Sequence, residues 1–294
     1  MANDWTIAVY DDFPGTLVFG VGLLPKDRNG TLAQVAAGDF DATWQAIGDN
    51  LNRHRRQRSI VRIGLEANGT WFPWGATADT AEDFKAAFRR VAEILKGRSR
   101  GVIINFDITC GVGLEGASDK LAPLTRLYPG DDVTDVIGCD YFDAESLDLS
   151  KGPDVLGATG NGPSMNDVLA FARERGKPMS VPEWGLDAVL GAGDRPEFIA
   201  TMYDFFDKNA ADLVFENYFN EHGTTLRSSL FQEVQNPQSA QTYVALWRSE
   251  RPQGDDSGGT AVPPSQGSRS PPSPKSGVHG DAASPVGLGL VAVA

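Results

Sequence analysis

Cysteine is scarce. The 294 residues hold two, Cys110 and Cys139, which can form at most one disulfide and so exclude a disulfide-stapled scaffold. Each lies in an apolar run, and two buried free thiols are expected. There is no CxxC, and the three histidines, His54, His222 and His279, are scattered. A zinc centre of Cys and His is therefore not expected, nor is any other metal or cofactor. No stretch reaches the roughly 18 apolar residues of a membrane span. The opening residues, Met1-Ala2-Asn3-Asp4-Trp5, lack the basic start and apolar run of a secretion signal. Positive charge is also short: 26 Lys and Arg face 39 Asp and Glu, for a net charge of −13 and an isoelectric point near 4.6. That balance argues against a general nucleic-acid binder, because a phosphate backbone is repelled by the mean field. A neutral ligand such as a sugar is not.

What is present is enough apolar and aromatic material, 41% and 9%, to build a sizeable core. The exception is the C-terminal stretch from Arg251 to Ala294, where Gly, Pro and Ser fill 22 of 44 positions and no aromatic occurs. Such a segment buries too little to offset its ordering entropy, so residues 251–294 are expected to be a disordered linker or tail and residues 1–250 the folded unit. Inside that unit, short β-rich runs alternate with amphipathic segments. Strands are expected at Leu17–Leu24, Ser59–Leu65, Val102–Ile108, Val133–Tyr141, Met179–Glu183 and Leu213–Tyr218. Helices are expected at Asp41–Arg56, from Thr80 with Asp83 as an imperfect capping box, and at Ser164–Arg175, Pro196–Lys208 and Ser239–Arg248. The residues before Leu17 are read as irregular. Several strands are apolar at consecutive positions, the pattern of a parallel sheet covered on both faces. A (β/α) barrel or a doubly wound sheet fits.

Two glutamates close strands: Glu66 after Ile60-Val-Arg-Ile-Gly-Leu65, and Glu183 after Met179-Ser-Val-Pro182. In a parallel barrel the strand C-termini build the active face. A carboxylate pair there suits glycoside hydrolysis, in which one group protonates the leaving oxygen and the other attacks or activates water. Alone, each would read as a solvated loop residue or an ion-pair partner. The neighbouring sequence weighs against that. Asn68, Trp71, Phe72 and Trp74 follow Glu66, and Trp184 follows Glu183. Indole faces pack against sugar rings, although a hydrophobic plug over the barrel mouth would use the same residues. Arg62, four residues before Glu66 on the same strand face, is placed to hold a carboxylate charged. Tyr141, ending another strand beside Asp140, is either a donor to the nucleophile or a core residue.

The run Arg62-Ile-Gly-Leu-Glu-Ala-Asn-Gly-Thr-Trp-Phe-Pro-Trp74 resembles the acid/base motif of glycoside hydrolase family 26, best known for β-mannanases. The runs Tyr128–Asp143 and Lys177-Pro-Met-Ser-Val-Pro-Glu-Trp-Gly185 resemble its next landmark and its nucleophile motif. The three occur in order over about residues 1–250. The resemblance implies a TIM-type (β/α)8 barrel and a retaining endo-β-glycanase. Its implied substrate is a β-linked polysaccharide, β-mannan first and mixed-linkage β-glucan or β-1,3-xylan next. The implied partner is that polysaccharide alone, with no nucleic acid or membrane. A monomer and secretion are expected. By position, Glu66 on the fourth strand becomes the acid/base and Glu183 on the seventh the nucleophile. Tyr141 becomes the nucleophile's hydrogen-bond partner. Arg62, Asn68, Trp71, Trp74 and Trp184 become substrate-site residues. Two departures stand out. Leu65 occupies a position where many mannanases of the family have His. Counting Ser59–Leu65 as the fourth strand leaves 16 residues before the third, so the barrel is expected to be incomplete, without its first two β/α units. A non-catalytic carbohydrate-binding protein on a degenerate barrel is the alternative.

Overall fold

The computed structural model describes residues 2, 5–25, 29–144, 147–158, 160–191, 193–249 and 288–292. Six parallel strands follow one another in space as they do in sequence. They are β1 (Leu17–Val21), β2 (Ile60–Ile63), β3 (Ile103–Thr109), β4 (Val136–Asp143), β5 (Met179–Leu186) and β6 (Leu213–Tyr218). Between them run α2 (Leu32–Ala37), α3 (Asp41–Arg53), α4 (Ala81–Arg98), α5 (Ala122–Leu127), α6 (Met165–Glu174) and α7 (Pro196–Lys208). A short α1 (Trp5–Ala8) precedes β1 and α8 (Pro237–Ser249) follows β6. The βαβ alternation gives the right connections for a barrel, but among the described residues β6 pairs only with β5, so the sheet stays open.

The sheet is curled. Neighbouring strands lie about 4.8 Å apart, so in a flat sheet β2 and β5 would be separated by about three such spacings. Yet Arg62 of β2 donates a hydrogen bond to Glu183 of β5, and Ser180 of β5 donates to Asn105 of β3 at 2.6 Å, over β4. Only strong curvature brings those side chains together. The chain therefore folds as an incomplete TIM-type barrel with a polar interior and an apolar helix layer outside.

The helices dock as their periodicity directs. Trp44, Ile47 and Leu51 of α3 and Phe84, Phe88, Val91 and Leu95 of α4 are buried. Phe88 meets Phe106 of β3 edge-on at 6.1 Å. Ser164 caps α6 with a full capping box, its hydroxyl accepting from the Asp167 N–H at 3.1 Å while the Asp167 carboxylate accepts from the Ser164 N–H at 2.8 Å. The capping box expected at Thr80 does not form. The Thr80 hydroxyl accepts instead from the Thr77 N–H at 2.9 Å, upstream of the helix.

Other expectations are also corrected. Trp5–Ala8 is helical rather than irregular. The short helices α2 and α5 were not foreseen, although Thr31 and Gln34 form a capping box at the start of α2. β2 ends at Ile63, three residues before Glu66, while β5 runs past Glu183 to Leu186. Cys110 and Cys139 are joined in a disulfide rather than free, with their Cα atoms 5.6 Å apart. The parallel register explains it: Thr109 stands opposite Asp140, and the Cys110 N–H donates to the Asp140 carbonyl at 3.0 Å, which sets the two residues side by side. Of the stretch expected to be a disordered tail, Leu288–Ala292 forms a strand, β7, antiparallel to β1 on its outer edge. The remainder of that expectation lies outside the described residues.

Candidate active site

The site is built on alternate residues of the central strands. β3 reads Ile103-Ile-Asn-Phe-Asp-Ile-Thr109, with polar side chains at every second position. Asn105 and Asp107 are buried and face the interior, while Phe106 and Ile108 face the helices. Arg62 of β2, Asp140 of β4 and Ser180 of β5 face the same interior and are also buried.

Arg62 is the hub. Its Nε donates to Asp107 Oδ2 at 2.8 Å and its Nη2 to Asp107 Oδ1 at 3.2 Å. Nη2 also donates to Asp140 Oδ2, and Nη1 to Glu183 Oε1. Burial opposes the guanidinium charge, but Asp107, Asp140 and Glu183 outweigh it, so Arg62 holds its proton more firmly than usual. A planar five-donor fork can serve three carboxylates at once, whereas an ammonium group cannot present that geometry.

Glu66 lies beyond the end of β2. Both Gly64 and Glu66 take left-handed backbone conformations, with φ of 55° and 50°. This is costly for a glutamate, and such conformations gather at functional sites. The chain turns there so that the Glu66 N–H donates to Asp107 Oδ1 at 2.8 Å. The carboxyl receives a hydrogen bond from the Thr109 hydroxyl at Oε1, 2.8 Å, and from the Trp71 indole N–H at Oε2, 3.0 Å. Burial, reinforced by the charge of Glu183, raises its pKa to about 7, against the opposing pull of Thr109, Trp71 and Arg62. The structure thus sets two carboxyl groups of unlike character close enough for the charge of one to act on the other. One is buried and inclined to hold a proton. The other is paired with a guanidinium.

The remaining expected site residues divide. Trp71 is half exposed and sits on Glu66, where an indole face is open to a ligand. Trp74 is buried: its Nε1 donates to the Leu65 carbonyl at 2.9 Å, its ring stacks on Phe72 at 4.6 Å, and it covers Gly22. Its place is a structural plug, not an open platform. Asn68 is a brace, with its Nδ2 donating to the Thr109 and Val112 carbonyls and its Oδ1 accepting from the Thr109 N–H. Trp184 faces outward from β5 and is fully buried among Phe198, Phe206, Tyr218, Tyr243 and Trp247. Its indole N–H donates to Glu216, so it belongs to the helix layer. Tyr141 neighbours inward-facing Asp140 and therefore points the other way, packing 6.1 Å from Phe198. The donor that the structure gives Glu183 is Arg62. Asp107 was not foreseen, although the period-two polarity of β3 would have found it. Asp140, noted only as a neighbour of Tyr141, is the member of that pair that faces the site.

An open parallel barrel with two carboxyl groups toward its strand C-terminal face is an arrangement that barrel glycosidases use. Residues 31–158 match the profile of Glycosyl hydrolase family 26. The chain is 28% identical over 180 residues to a mannan endo-1,4-beta-mannosidase of Bifidobacterium adolescentis, covering 59% of this chain and 17% of that protein. It is 24% identical over 169 residues to a beta-1,3-xylanase of an Alcaligenes species, covering 57% of this chain and 30% of that one. In structure it is similar to a modular endo-beta-1,4-mannanase from Cellulomonas fimi, with a TM-score of 0.62, 18% identity, and coverage of 85% of this chain and 58% of the other. The chain is thus similar to members of glycoside hydrolase family 26, with the family profile matched over residues 31–158. It spans less than a third of the length of the two curated relatives named above.

Proposed function

We propose that the chain is a retaining endo-β-glycanase with β-mannan as its first substrate. The reading rests on one observation above the others: Glu66 is raised to about 7 by burial beside Glu183, while Glu183 is held by Arg62. Carboxyl groups with divergent environments take divergent roles. Glu183 attacks the anomeric carbon as the glycosidic C–O bond breaks, and the leaving oxygen takes the proton of Glu66. Glu66, now ionised, removes a proton from water as that water attacks the same carbon, and the ester bond to Glu183 breaks. Trp71, the exposed indole beside Glu66, supplies a stacking face for a sugar ring. The names of the relatives, a mannosidase and a β-1,3-xylanase, support a β-glycan and favour testing both.

The test uses dyed β-mannan, β-1,3-xylan and mixed-linkage β-glucan, together with an aryl β-glycoside carrying a dinitrophenyl leaving group. Glu183→Ala is expected to lose turnover of all of them. Glu66→Ala is expected to lose polysaccharide turnover yet still release a first equivalent of dinitrophenol, because that leaving group needs no acid. Tight binding of oligosaccharides by a native chain that turns over none of these substrates would replace the enzyme with the carbohydrate-binding reading.

A further inference from the structure

The two glutamates are gripped in the same way by two aspartates. Asp107 Oδ1 accepts the backbone N–H of Glu66 at 2.8 Å, and Asp140 Oδ1 accepts the backbone N–H of Glu183 at 2.8 Å. Each aspartate also takes hydrogen bonds from the single guanidinium of Arg62. Both are buried and reach the glutamates through backbone rather than side chain. Asp107 is supported from below: Asn105 Nδ2 donates to its Oδ2 at 2.9 Å, and the Ser180 hydroxyl donates to Asn105 Oδ1 at 2.6 Å. This chain crosses above Gly138, where a Cβ would lie 2.7 Å from Ser180 Oγ, 2.9 Å from Asp107 Cβ and 3.0 Å from Asn105 Nδ2.

We propose that Asp107 and Asp140 are positioning residues, Asp107 for the acid/base Glu66 and Asp140 for the nucleophile Glu183, with Arg62 as the strut that fixes their separation. The inference rests on the endo-β-glycanase reading and adds a division of labour to it. Glu66 needs such a hold because it sits past the end of its strand in a left-handed conformation, with its own N–H bonded to the Asp107 side chain rather than to a neighbouring strand's backbone. Glu183 needs one because the β4–β5 register slips between Gly138 and Tyr141, next to the point where Asp140 reaches it. Displacement of a reacting group by about 1 Å is enough to cost about a hundredfold in rate.

The division of labour gives each aspartate its own kinetic signature, which a general loss of packing would not produce. An amide has one acceptor atom where each of these carboxylates uses two. Asp107→Asn should lower kcat on polysaccharide about a hundredfold with KM within twofold. It should leave first-equivalent release from the dinitrophenyl glycoside within a few-fold, since that step needs no acid. Asp140→Asn should lower both about a hundredfold. Gly138→Ala alters no charge and presses on Asp107, so it should show the Asp107 pattern at about a tenfold loss, and it serves if either Asn variant fails to fold. Native near-ultraviolet circular dichroism qualifies each variant. Equal losses on both substrates in Asp107→Asn, or a folded Gly138→Ala as active as the parent, would overturn the proposal while leaving the glycanase reading intact. A parent chain inert on every substrate overturns both.

Discussion

The Glu66 carboxyl titrates near 7 in the folded chain against 4.5 for the free side chain. The sign follows directly. Between those values the folded state binds a proton that the unfolded state does not, so the group's contribution to stability is fully present below about pH 4.5 and is lost as pH rises through 7. Glu66→Gln carries no charge to bury, and above pH 7 it should unfold in urea with a stability higher by on the order of 1–3 kcal/mol, a difference that vanishes below pH 4.5. Under the proposed mechanism the same proton is the one delivered to the leaving group, so kcat/KM should fall on the alkaline side with an apparent pKa of about 7. Trp71 lowers that value through its indole N–H, and Trp71→Phe should move the alkaline limb upward. An unmoved limb would show that the indole hydrogen bond does not act on the titrating group. Arg62 has the opposite role in stability. Removing it as Arg62→Met leaves Asp107 and Asp140 buried, and Glu183 partly buried, without their cation, a loss of about 3–5 kcal/mol, measurable by denaturant titration.

Among the elements, the turn after β1 depends on a glycine. A Cβ at Gly22 would lie 2.1–2.6 Å from three ring carbons of Trp74, so Gly22→Ala must displace that plug at a cost of about 1–3 kcal/mol. Ser164→Ala should cost about 1 kcal/mol through the lost α6 cap, and thermal melting checks both. The order and type of most elements could be read from the sequence, because consecutive apolar runs and helical spacing are local signals: β6 and α7 begin and end where expected. Glu66 and Glu183 were singled out through the motifs around them, and Arg62 and Asp107 tie them into one hydrogen-bond network. What was not legible depends on sheet register and on which way a strand residue points. Trp184 and Tyr141 sit beside inward-facing Glu183 and Asp140, and alternation sends their rings to the helix layer. The disulfide needed the β3–β4 register. Trp74 looked like Trp71 in sequence, yet one closes over Gly22 and the other stays open beside Glu66, a difference set by the path of the loop after β2.

On the scale of the whole molecule, an open barrel leaves backbone edges that invite pairing with other chains. The outer edge of β1 is covered by the antiparallel β7. Truncation before Leu288 uncovers it, and the shortened chain should show concentration-dependent association by analytical ultracentrifugation, absent in the parent at equal concentration. Curling of the sheet is what the proposed chemistry depends on, since it lets Arg62 reach across from β2 to Glu183 on β5. In the proposed mechanism Glu66 and Glu183 act as acid/base and nucleophile through a glycosyl-enzyme. The direct measurement is mass spectrometry of the chain after incubation with a 2-fluoro β-mannoside bearing a dinitrophenyl leaving group, which slows release of the intermediate. The expected result is a gain of one fluoroglycosyl unit, mapped by peptide digestion to Glu183 and abolished in Glu183→Ala. A label on any other residue, or hydrolysis with inversion at the anomeric carbon and no label at all, would contradict the mechanism.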